Sequence, residues 1–161
     1  MSLSPRRRNA LGQHFLVDEK LADRIVAAAV ITPGERILEI GPGRGVLTER
    51  LAPLGKLVAV EKDRWLAAVL RQRFGDELTL IEGDALEVEL PPSDVVVANL
   101  PYAISSPLLF CLFDVEWGRA VLMFQEEFAR RLAASPGTKA YGRLSVMAQH
   151  PRLLWCGGES L

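Results

Sequence analysis

Asn99, Leu100, Pro101 and Tyr102 concentrate more chemistry than any other stretch of the chain, and they follow directly on the apolar run Val95-Val96-Val97-Ala98. The proline cannot join a helix ladder and restricts the residue before it. Backbone carbonyls are therefore left available beside a side-chain amide and an aromatic plate. At the carboxyl end of a strand such a turn suits the exocyclic amine of a flat base. The carbonyls accept its N–H groups while the ring stacks on its face. By itself the tetrapeptide also reads as an ordinary turn, and the residues upstream weigh between the two.

Glu39 precedes the loop Gly41-Pro42-Gly43-Arg44-Gly45. Three glycines suggest a dinucleotide loop, but the position three after Gly43 is Val46, neither Gly nor Ala, which departs from that fingerprint. The Glu39 carboxylate would repel a pyrophosphate and would suit a cationic ligand. Glu61 ends the next apolar run, twenty residues after Gly41, where a carboxylate can accept from both hydroxyls of a ribose. Asp84, in Gly83-Asp84-Ala85, can accept from an adenine amino group, and a helix cap or turn is the competing reading. Glycine loop, ribose carboxylate and adenine carboxylate, in that order along the chain, describe a site for S-adenosylmethionine. That cofactor carries an adenine, a ribose and a sulfonium, but no phosphate.

These residues need elements to hold them. Helical spacing covers Leu16 to Val30, with Asp18 placed to cap it. Strands are expected at Arg36–Ile40, Lys56–Glu61, Leu78–Glu82, Val95–Asn99 and Arg119–Gln125. Helices are expected at Val46–Leu54, Arg64–Phe74, Pro107–Phe113 and Glu126–Ala134. This alternation predicts an α/β fold, a Rossmann-like, mostly parallel sheet with helices on both faces. Ligands bind outside the carboxyl ends of such strands. Glu39 to Gly45, Glu61, Asp84 and Asn99 to Tyr102 all fall there.

The 161 residues make one domain, 49% apolar and 24% charged, as in ordinary globular proteins. No apolar run is long enough to span a bilayer. Arg6-Arg7-Arg8 leads into a polar stretch rather than a secretory segment. Cys111 and Cys156 lie far apart, which is the usage of a reducing, cytoplasmic setting. A net charge of −1 speaks against nonspecific coating of nucleic acid and leaves local patches. The triple arginine is the densest of these, with a solvated tail as the alternative.

The chain resembles class I methyltransferases and, more narrowly, the ribosomal small-subunit RNA adenine N6-dimethyltransferases, to which the erythromycin-resistance rRNA methyltransferases are related. The resemblance runs from about Arg8 to Gln149 and rests on Asn9-Ala10-Leu11-Gly12-Gln13-His14-Phe15-Leu16, Glu39 to Gly45, Val60-Glu61-Lys62-Asp63, Gly83-Asp84-Ala85, Asn99 to Ser105, Phe124-Gln125-Glu126-Glu127 and Lys139 to Val146. It implies that Gln13, His14 and Leu16 line the methionine side of S-adenosylmethionine, with Gly41 and Gly43 beneath. His14 stands where the family usually has Asn. Glu61 would hold the ribose, Lys62 would flank the adenine, and Asp84 and Ala85 would contact it, with Asn99 at the edge of the cofactor. Asn99, Leu100, Pro101 and Tyr102 would hold the target base, with neither a general base nor a metal. The implied reaction is dimethylation of two adjacent adenines in a small-subunit rRNA hairpin loop during ribosome biogenesis, by a monomer with no membrane association. Arg6, Arg7, Arg8, Lys139 and Arg143 are the RNA-binding candidates. Arg71, Arg73, Arg130 and Arg131 fit solvated helix faces.

The family continues past the Ser-Val-Met-Ala-Gln segment with further strands, a Phe-x-Pro-Pro-Pro loop and a helical domain. The resemblance therefore implies a fold lacking its C-terminal strand or strands, with residues 1–15 as basic arm and cofactor lid and 150–161 as an atypical tail in which Arg152–Cys156 could supply one strand. A form short of these parts is expected to bind cofactor and to be weakly active or inactive on RNA. Two other readings stay open. One is a DNA adenine methyltransferase, against which Leu100 in place of a second proline speaks. The other is a non-catalytic RNA-binding or assembly module that retains the fold.

Overall fold

The computed structural model describes residues 16, 18–100 and 102–149, with only the backbone of Tyr102. Helix α1 (Glu19–Ala29) starts where Asp18 Oδ1 accepts from the amides of Lys20 and Leu21 at 2.9 and 3.2 Å. Ala22, Ile25 and Ala29 recur on one face and are buried. The helix stops at Val30, whose φ of 46° is rare for a β-branched residue. Arg119 holds that turn, donating Nε to the Ala29 carbonyl and Nη2 to the Val30 carbonyl, both at 2.7 Å.

Five strands follow, β1 (Arg36–Ile40), β2 (Lys56–Glu61), β3 (Thr79–Glu82), β4 (Ser93–Asn99) and β5 (Trp117–Met123). All pair in parallel, in the order β3-β2-β1-β4-β5. Between them run α2 (Val46–Leu51), α3 (Arg64–Phe74) and α4 (Ser105–Phe113). Helices α5 (Glu126–Leu132) and α6 (Arg143–Ala148) follow β5. The expected sheet is therefore present with its helical crossovers, and strand order reverses between β1 and β4.

Period-two alternation along the strands divides the core into two layers. Ile37, Leu57, Ala59, Val95, Val97 and Val121 pack with α1, α2 and α3. Leu38, Ile40, Val60, Val96, Ala98 and Leu122 pack with α4, α5 and α6. A wholly buried leucine such as Leu70 or Leu109 contributes about 2 kcal/mol by leaving water. Opposite the carboxyl ends, the amino edge is tied by ion pairs. Arg36 grips Asp94 at 2.9 Å and Arg119 grips Glu35 at 2.6 Å. These hold the Asp94 carboxyl down at about 2 and the Glu35 carboxyl below its usual value.

Several boundaries differ from the expected ones. Helix α2 ends at Leu51 rather than Leu54, with Pro53 and Gly55 just beyond. Strand β4 starts at Ser93 and β5 at Trp117, two residues before the expected positions in each case. Gly118 explains the earlier start of β5, because a Cβ there would lie 2.7 Å from the Asp94 carbonyl oxygen, so only glycine allows that approach. The indole of Trp117 is buried and donates to the Leu112 carbonyl, anchoring the strand's first residue. Strand β5 closes at Met123 because Gln125 is already the N-cap of α5. Helix α6 was not expected, since its six residues are too few to show a periodicity.

Candidate active site at the carboxyl edge

The reversal between β1 and β4 opens a crevice at the carboxyl edge. The glycine loop leaves β1 and Asn99 ends β4. The two meet closely: a Cβ built on Gly41 would lie 3.8 Å from the Asn99 carbonyl oxygen. Gly41, Gly43 and Gly45 have φ of 69°, 58° and 83°, left-handed values that side chains disfavour. Gly45 is needed twice over, because a Cβ there would sit 3.0 Å from both Leu70 Cδ2 and Phe74 Cε2 of α3. The Gly41 amide donates to the Val60 carbonyl at 3.0 Å, which ties the loop to β2.

Glu39, Glu61 and Asn99 share the parity of Ile37, Ala59 and Val97, so all three belong to the face covered by α1, α2 and α3. Glu61 is 3% exposed and braces the loop, with Oε2 accepting from the Gly43 amide at 3.0 Å and Oε1 from the Asp63 amide at 2.8 Å. Burial pushes its carboxyl up, and those two amides work the other way. The Lys62 amide adds a weaker contact, and a carboxylate with about four acceptor positions keeps capacity for another donor. Asp63 in turn caps α3, accepting from the Trp65 and Leu66 amides.

Glu39, expected to suit a cationic ligand, lies beneath the loop with its side chain 1% exposed, so any ligand would feel it through the loop and not by contact. Oε2 accepts from the Thr48 hydroxyl at 2.8 Å, while Oε1 is buried with no hydrogen-bond partner. Desolvation pushes the carboxyl up to about 8, with Glu61 adding repulsion against the Thr48 bond, so the group is largely neutral at pH 7.

Asp84 lies one strand away. Its Oδ1 accepts from the Leu86 amide at 3.0 Å and Oδ2 from Lys62 Nζ at 2.5 Å. Lys62 holds this carboxyl below its usual value, and Asp84 raises the lysine in return. Asp84 is thus also the turn former that the sequence allowed, and an adenine would reach it through the remaining lone pairs. Ala85 turns its side chain into the core. Leu100 is buried, and its amide reaches the Met123 carbonyl at 3.4 Å. Tyr102 opens a 3-10 turn leading into α4. Leu16, expected on the methionine side, packs partly against the α1–α3 layer. Lys139 is exposed, and the Arg143 guanidinium lies 4.7 Å from the Phe110 ring centre. Gln13, His14, Pro101 and Arg6 to Arg8 lie outside the described residues.

Sequence reasoning missed Thr48 and Asp63 as partners of the two buried acids. Asp63 had a visible signal, an acid directly before a helical run. Thr48 had none, because its partner is nine residues away on another element.

A parallel sheet with a glycine loop after β1, a buried acid ending β2 and an Asn-initiated turn after β4 defines a Rossmann-like methyltransferase domain. A family model described as ribosomal RNA adenine dimethylase matches residues 5–151, and the chain belongs to that family. It is 50% identical over 157 residues to the ribosomal RNA small subunit methyltransferase A of Geobacter sulfurreducens, covering 89% of this chain and 57% of the relative. It is 50% identical over 143 residues to the probable ribosomal RNA small subunit methyltransferase A of Methanospirillum hungatei, covering 85% and 56%. The crystal structure of a dimethyladenosine transferase from Plasmodium falciparum matches with a TM-score of 0.79 at 40% identity, over 83% of this chain and 51% of that one. The 23S rRNA methyltransferase ErmE matches with a TM-score of 0.67 at 34% identity, over 73% and 50%. The chain spans about half the length of the curated relatives it matches. Among the described residues no helix is long and apolar enough to cross a membrane.

Proposed function

We propose that this chain is the methyl-donor-binding part of an rRNA adenine N6-dimethyltransferase, acting with S-adenosylmethionine on adjacent adenines of a small-subunit rRNA loop. The observation that carries this reading is the meeting of the Gly41 loop with the end of β4 at Asn99, in a member of the adenine dimethylase family. The site suits that donor. Glu61 and Asp84 present acceptors, three glycines leave the loop open to close approach, and the two acids at this edge disfavour a phosphate. Small-subunit rRNA is the proposed partner, the cytoplasm the setting, and a monomer the working form.

The residues divide the work simply. Glu61 would accept from ribose hydroxyls through its free lone pairs, and Asp84 with the Ala85 backbone would hold the adenine beside Lys62. Gln13, His14 and Leu16 would close over the methionine end. S-adenosylmethionine supplies an electrophilic methyl group with a good leaving group, so the protein's contribution is mainly alignment. The adenine N6 lone pair is delocalised into the ring and is a poor nucleophile. Acceptance of N6–H by the Asn99 side-chain oxygen and the Leu100 carbonyl would pyramidalise the nitrogen and localise that pair. Stacking on Tyr102 would keep the base in line, and the N6 proton would pass to water. A single-stranded loop presents such bases without melting a helix.

The test is transfer of labelled methyl groups from S-adenosylmethionine to unmethylated small subunits, with duplex DNA as the alternative acceptor. Label in two neighbouring rRNA adenines is the expected result. Label in DNA alone, or donor binding with no transfer to either acceptor by a chain extended to its relatives' length, overturns it.

A further inference from the structure

Beneath the glycine loop lies a carboxyl group that no cation among the described residues neutralises. Glu39 is 1% exposed, its Oε2 is taken by Thr48, and its Oε1 is buried without a partner. A buried oxygen of this kind costs more than a satisfied one, and far more once charged. Among the described residues, no cation acts on this carboxyl. From β2 comes Glu61, a like charge already engaged with the loop amide of Gly43. The paired β4 residue is Val97, α2 contributes the Thr48 hydroxyl, and α1 buries Ala22, Ile25 and Ala29. Arg73 of α3 reaches the loop at the Arg44 carbonyl but is paired with Glu49. The carboxyl is accordingly pushed up to about 8.

We propose that seating a cationic methyl donor on the glycine loop expels a proton from Glu39, which makes Glu39 a positioning residue whose negative charge exists only in the loaded site. The inference rests on the donor-binding reading above. The donor's positive charge, brought over a loop whose three glycines leave it open to close approach, supplies a counter-charge to Glu39 in a place where water screens it poorly. The carboxyl proton leaves to solvent and no other bond changes. The free site stays uncharged beneath the loop, and affinity becomes linked to pH. Below pH 8, donor affinity rises with pH by up to roughly tenfold per unit.

Titration calorimetry of the full chain with S-adenosylmethionine at pH 7, in buffers of different ionisation enthalpy, counts the protons released. Roughly 0.9 of the Glu39 carboxyls are protonated at that pH when the group titrates near 8, which sets the ceiling. The wild-type chain should release about half a proton or more beyond Glu39→Gln, in which any proton exchange of the ligand's own amino group is retained and cancels. A second readout does not depend on the variant. The protonated-carboxyl infrared band of the ¹³C-glutamate-labelled wild type should diminish when the donor is added. Equal proton counts in the two chains, or a band unchanged by bound donor, overturn the proposal. Absence of any binding heat in the folded wild type refutes the donor-binding reading itself, and the inference falls with it.

Discussion

Replacing Glu39 by Gln tests the burial argument without any ligand. Glutamine keeps an oxygen for Thr48 and removes only the ionisation. A carboxyl raised from 4.5 to about 8 binds its proton more tightly in the native state than in the unfolded chain. Between those values the native state therefore holds more protons, and stability must fall as pH rises. The favourable contribution is complete below about pH 4.5 and is lost progressively up to about pH 8. With one proton at about 1.4 kcal/mol per pH unit, the wild type should lose about 2 kcal/mol between pH 5 and pH 7 relative to Glu39→Gln. For a chain of this size that is a differential change in Tm of about 4–8 °C. Urea unfolding of both chains at several pH values measures it, and the comparison removes the titration of every other group. Curves that run parallel from pH 5 to 8 would refute the account, because Glu39 would then be charged in the folded chain despite its burial.

Other outcomes follow from particular contacts. Asn99→Ala should lower methyl-transfer turnover by roughly a hundredfold while changing donor Kd far less, as loss of an aligned acceptor implies; a lost Kd with unchanged turnover per bound donor would contradict it. Asp84→Ala should do the reverse, raising the donor Kd roughly tenfold in a calorimetric titration. Gly45→Ala should destabilise by about 1–3 kcal/mol in urea unfolding, since its Cβ would press on Leu70 and Phe74 at a φ of 83°. Gly34→Ala serves as its control, being equally left-handed but with nothing within 4 Å of the added carbon, so it should cost less.

The sheet was legible because its strands are short apolar runs punctuated by Gly, Pro and Asp, and four of them have residues able to do chemistry at or just beyond their carboxyl ends. Arg36–Ile40, Lys56–Glu61 and Arg64–Phe74 appear with the expected boundaries. The start of β5 was not legible because Gly118 and Trp117 are chosen by contacts with Asp94 and Leu112, on other elements. The same holds for the acids. Periodicity places Glu39 and Glu61 at strand ends, but the fate of their charges depends on Thr48, Gly43 and Asp63. Glu39, read as a partner for a cation, is buried with one oxygen on Thr48, where desolvation pushes its carboxyl up. What the letters cannot carry is desolvation, which is set by all the surrounding side chains together.

The strand order also has a consequence for biosynthesis. Strand β1 lies in the middle of the sheet, yet its partner β4 is translated nearly sixty residues after it, with Ile37 pairing Val95. Gly41 and Asn99, adjacent in the folded chain, are thus brought together late on the ribosome. Helix α1 waits longer still, because the arginine that ties its last carbonyls is Arg119. Non-local pairing of this kind is slow and leaves apolar edges uncovered in the meantime. Nascent chains stalled before β4 emerges should stay protease-sensitive throughout, and resistance should appear only once β5 has left the exit tunnel. Early resistance in the shorter chains would show that α1, β1 and β2 fold as a unit of their own.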